Sequence, residues 1–177
     1  MDAVQVLRLS AEFAFQELLD SLKDVDQPKS WATAQPIPGE YLHTAGSTVA
    51  IVQHIAMCKF GYATCAFTDC EVRGRDTFAK AKEIGPDWEQ SKNFLLESQD
   101  YWMNSWANLA SEELESDRHT IWMKPWPAWK IITRVIHHDQ YHAGQIALIQ
   151  SILPGTDVPP DMMFDQEERA YRETPYW

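Results

Sequence analysis

The chain has 177 residues, 45% of them hydrophobic, and a formal net charge of −11. That is enough apolar material for one domain with its own core, which excludes wholesale disorder. The acidic balance argues against nucleic acid or an anionic membrane surface as partner, since both reward an excess of Lys and Arg, and no run approaches the roughly 20 apolar residues of a membrane span.

In chain order, the first predicted helix covers residues 3–23. Leu7, Ala11, Phe15, Leu18 and Leu22 recur at helical spacing, while Asp20 and Lys23 fall off the stripe. A proline-rich connector follows, "DVDQPKSWATAQPIPGEYLH", which Trp31 and Tyr41 are placed to pin down. The second helix spans 44–68, with hydroxyl caps available between Thr44 and Ser47. Residues 69–86 are mixed and polar, with at most a short helical turn from Asp76 to Glu83.

The third helix spans 87–111. Asp87 opens it, with Gln90 three residues on, as in a capping box. Trp88, Leu95, Trp102, Trp106 and Leu109 point inward, a stripe that reads as core rather than as a cofactor box. "SEELESDRH" reads as a solvated acidic segment. Pro127 suits the first turn of the fourth helix, 127–153, which Pro154 and Gly155 end. The tail 156–177 is rich in proline, acid and aromatics, suited to wrapping the body or meeting another subunit. No stretch alternates like a strand over a useful length. Four long amphipathic helices predict an all-α, four-helix bundle forming one domain over 1–177.

Cys58, Cys65 and Cys70 are odd in number and form no CxxC pair. They predict free thiols in a reducing compartment. The N-terminus lacks the pattern of a signal peptide, so the expected location is the cytoplasm.

The chemistry concentrates in "VIHHDQYHAGQIALIQ", residues 135–150. His138 and His142 are four apart and so lie only about 40° from one another around a helix. Imidazoles at that spacing can hold one metal ion, as in the zinc peptidase pattern, although its intervening glutamate is absent. His137 and Asp139 each point about 100° away from His138. His43 and His119 fall in connectors.

The second helix carries the matching anomaly, His54, in the middle of the small, apolar stripe Ser47, Ala50 or Ile51, Met57 or Cys58, Gly61, Cys65. Taken alone, His54 reads as a hydrogen-bonded core residue. If the two stripes meet, three histidines with open positions form a catalytic rather than a structural pattern. Cys58 is either a neighbour of that site or a small core residue. Gln145 either orients a histidine or bonds across helices. Gly144 is expected to serve close helix packing.

"STVAIVQHIAMCKFGY" followed by "VIHHDQYHAGQIALIQSILPG" resembles the DinB/YfiT-like superfamily. The resemblance covers the second and fourth helices and, loosely, the first. It implies a four-helix bundle of up-down-down-up layout, often a homodimer. It also implies a divalent metal, Zn, Ni or Fe, on three histidines that match His54, His138 and His142. Some members are S-transferases using a low-molecular-weight thiol such as bacillithiol or mycothiol, and related ones isomerise maleylpyruvate with mycothiol. Many have no known activity. The expected function is a metal-dependent S-transferase or hydrolase acting on a small molecule. The alternatives are a non-catalytic metal-binding or stress-response protein, with Cys58 or a tail carboxylate as fourth ligand, and a plain helical interaction protein.

Overall fold

The computed structural model describes residues 1–34, 46–122, 124–162 and 165–177. His43, Tyr41 and the start of the predicted second helix at Thr44 lie outside them. The described chain is mostly helical, with α1 (Ala3–Leu22), α2 (Gln27–Trp31), α3 (Thr48–Phe67), α4 (Gly74–Ile84), α5 (Trp88–Ser105), α6 (Ala128–Ile152) and α7 (Asp165–Arg172). The described residues also hold a short 3-10 helix, Ser111–Glu113, and an antiparallel pair, β1 (Asp117–His119) and β2 (Pro125–Pro127). None of these helices is long and apolar enough to cross a membrane.

The four long predicted helices are present as α1, α3, α5 and α6. Their starts are set by local chemistry. The Asp2, Ser47 and Asp87 side chains accept hydrogen bonds from the N–H groups of Gln5, Ala50 and Gln90, satisfying donors that a helix leaves open. Every residue of α3 except Phe60 and Phe67 is buried, as expected of a helix apolar all round. Each fully buried Val or Ile there contributes about 2 kcal/mol.

Helix α3 packs against α4, α5 and α6, and α1 packs along α6. Cross-contacts run in the same order along α3 and α5, from Gln53 with Ser91 through Lys59 with Gln99 to Thr68 with Tyr101. Along α3 and α6 the order reverses, from Thr48 with Gln150 to His54 with His138.

Several expectations need correction. Part of the connector is helix α2, capped by Asp26, and the Trp31 indole N–H does pin it by donating to the Pro86 carbonyl at 2.7 Å. The stretch 69–86 holds a full helix, α4, whose Thr77, Phe78, Ala81 and Ile84 are buried; its charged residues masked the stripe. The third helix ends at Ser105, with Trp106 as its cap and half-buried Leu109 beyond it. The acidic segment turns into β1, which pairs with a strand bounded by Pro125 and Pro127, a position prolines tolerate at a sheet edge. Gly144 is exposed, and a Cβ there would meet nothing within 4 Å, so close packing does not require it. Nothing in the structure explains this glycine.

The tail wraps the body. Gly74 N–H donates to the Tyr176 carbonyl at 2.8 Å, and Glu168 pairs with Lys82 at 2.5 Å. A Cβ at Gly74 would stand 2.8 Å from Tyr176 Cε1, so glycine is what lets the buried Tyr176 ring pack against the start of α4.

Candidate metal centre

His54 comes from α3, and His138 and His142 come from successive turns of α6. All three are buried. Nε2 of His138 lies 3.1 Å from Nε2 of His54 and 3.2 Å from Nε2 of His142. One ligand atom from each histidine falls within 4.8 Å of the others, a group able to hold a metal ion.

The donor set fits such an ion. Metal–nitrogen bonds of about 2.0–2.1 Å in a tetrahedral site separate neighbouring nitrogens by roughly 3.3 Å. Nδ1 of His142 lies 2.8 Å from Gln145 Oε1. With that oxygen accepting, the ring proton sits on Nδ1 and the Nε2 lone pair faces the other imidazoles. Burial, then the neighbouring His142 and His54, hold His138 well below the usual histidine range. Neutral imidazole is the form that ligates.

The two stripes do meet, and the structure brings His54, His138 and His142 together, while Gln145 holds His142 rather than bridging helices. His137 and His119 are exposed, as expected. Cys58 is a neighbour: its Sγ lies 3.7 Å from His54 Nε2 and 3.6 Å from the Tyr171 hydroxyl, but outside the ligand group. Glu168 of the tail engages Lys82 and Arg172 instead. Cys65 lies elsewhere in the core, where burial and Cys70 push its thiol up to about 12. All three cysteines are free.

Sequence reasoning missed the pair beside the histidines. Lys59 Nζ lies 2.5 Å from Asp139 Oδ2, and it also donates to Gln99 Oε1 at 2.6 Å. Lys59 and Asp139 are 1% and 2% exposed. Burial lowers Lys59 and raises Asp139, and their mutual attraction opposes both shifts. The available signal was Lys59, the lone charge in α3. Tyr171 was also missed, because nothing in the tail's composition says where it docks.

No protein-family model matches the chain, and no curated protein matches it significantly. Fold and site therefore define a class: a mostly helical protein with a buried three-histidine group suited to a metal ion.

Proposed function

We propose that the chain is a DinB/YfiT-like four-helix bundle of up-down-down-up layout that binds one divalent ion, zinc, nickel or iron, through His54, His138 and His142. On this reading it is a metal-dependent enzyme of thiol S-transferase or hydrolase type. The observation that carries it is the convergence of three Nε2 atoms with spacings of 3.1 and 3.2 Å. The parallel course of contacts along α3 and α5, and the reversed course along α3 and α6, support the layout. The free cysteines support a reducing, cytoplasmic setting. A homodimer belongs to the same reading.

When bound, the metal supplies Lewis acidity, which stabilises a thiolate or hydroxide near neutral pH. The protein's own groups do the rest. Three neutral imidazoles leave the charge of the ion largely unspent. Gln145 fixes the His142 tautomer. The packed helices α3 and α6 keep bulk water from most of the triad. A non-catalytic metal-binding protein is the second reading. Cys58 lying outside the ligand group weighs against a closed site with that thiol as fourth ligand.

Metal content of untagged protein, purified without added metal or chelator, tests this. About one ion per chain in the parent and almost none in His54→Ala or His138→Ala is expected. Absence of metal, with no uptake of zinc, nickel or iron, would overturn it.

A further inference from the structure

All four long helices meet at the ammonium of Lys59, a residue of α3. From α6, Asp139 Oδ2 accepts from Nζ at 2.5 Å. From α5, Gln99 Oε1 accepts at 2.6 Å. From α1, the Phe15 ring centroid lies 4.9 Å from Nζ, within the range over which an aromatic face attracts a cation. Oδ1 of Asp139 has no hydrogen-bond partner among the described residues, so the bond to Lys59 is what orients that carboxylate.

Apolar packing leaves the slide and rotation of α3 weakly specified. The helix is buried nearly all round, and Lys59 is its lone charge. Contacts of Val, Ile and Ala have no direction, and cores built on them lose uniqueness before they lose stability. A buried charge-assisted hydrogen bond has direction. Setting the register of otherwise apolar helices is the best-attested use of such a group.

We propose that Lys59, through Asp139, is the positioning residue of the histidine group: it holds α3 and α6 in the register at which His54 meets His138 and His142. The inference rests on the metal-centre reading above and names what fixes the geometry of that centre. Asp139 follows His138 directly, and Lys59 lies five residues beyond His54. The two contacts therefore stand about 7.5 Å apart along α3 and about 100° apart around α6. One contact alone lets the helices pivot, whereas two at different azimuths fix slide and rotation together. A further link, Gln150 with Thr48, is neutral and only part-buried. Sliding α3 by one residue would carry His54 about 1.5 Å along its axis, far beyond the roughly 0.2 Å that metal–ligand distances tolerate.

The test loads the full chain with cobalt(II), whose ligand-field bands report the geometry around the ion. Lys59→Met with Asp139→Leu removes both charges together, so the net charge near the metal is kept and only the directional bond is lost. Urea unfolding is measured beside it. The expected result is a folded chain that binds cobalt about tenfold more weakly, with bands displaced from those of the parent. Lys59→Gln with Asp139→Asn keeps a hydrogen bond across the same gap without the charges, and is expected to recover the parent bands and most of the affinity. If the Met/Leu chain does not fold, Lys59→Met with Asp139→Asn, which also lacks the bond, is read in its place. Unchanged affinity and bands without the bond would overturn the inference while leaving the metal centre standing. An equal loss in the Gln/Asn chain would also overturn it, since a hydrogen bond would then not hold the register. Failure of the parent to take up cobalt would instead remove the metal-centre reading itself.

Discussion

Lys59 with Asp139 and His54 with His138 sit close together on the same two helices, and each joins α3 to α6 through buried polar atoms. The first pair contains its own cation. Lys59 brings a positive charge to Asp139 and donates a further ammonium hydrogen bond to Gln99 Oε1. The second group brings together three imidazoles, with His138 held neutral by burial. One cluster is electrically complete from the chain alone. The other converges three imidazoles into a group able to hold a metal ion. The difference teaches how a core can separate structural polarity from ligand-binding polarity: the structural pair balances internally, and the histidine group, on the proposed reading, is completed by a metal ion. Even the balanced pair is not fully satisfied, because Asp139 Oδ1 has no hydrogen-bond partner among the described residues.

The largest effect that would break this comparison lies in the ion pair. Asp139→Ala leaves a buried ammonium without its carboxylate and is expected to cost about 3–5 kcal/mol in urea unfolding. The double variant Lys59→Met with Asp139→Leu is expected to recover most of that loss. If the single variant is nearly neutral, the pair is not the self-sufficient cluster described above.

Next in size is the response of the histidine group to metal. At a zinc concentration about 100 times the dissociation constant, the parent is expected to gain about 2.7 kcal/mol over its EDTA-treated form, measured by chemical denaturation. His142→Ala should gain almost nothing. A gain in both would place the metal elsewhere. Smallest is Gln145→Leu, which frees the His142 tautomer without touching a ligand atom. Its zinc affinity, measured by competition with a chelating dye, is expected to fall about tenfold or somewhat more. An unchanged affinity would remove Gln145 from the site.

Much of this was legible before any folding was considered. The stripe through Leu7, Ala11, Phe15, Leu18 and Leu22, the Asp87 cap and the proline-glycine stop after residue 153 marked helices with the right existence and nearly the right bounds. Period and capping are local, so the sequence alone determined them. The i, i+4 spacing of His138 and His142 is local too, and it put two of the three imidazoles on one face.

Other features belong to the tertiary structure. Asp139 read as off the face because a helical wheel has no knowledge of how many neighbours a helix has. Helix α6 is covered by both α1 and α3, which widens its buried arc from Ile131 and Val135 to Ile132, Ile136 and Asp139. Helix α4 hid its buried stripe among charges. Above all, bringing His54 within 3.1 Å of His138 depends on the register between helices 84 residues apart in the chain, and docking Tyr171 on Cys58 depends on where the tail finally packs. Spacing within one helix is written into residue order by backbone geometry. Which atom of one helix meets which atom of another follows only from the packing of the whole core.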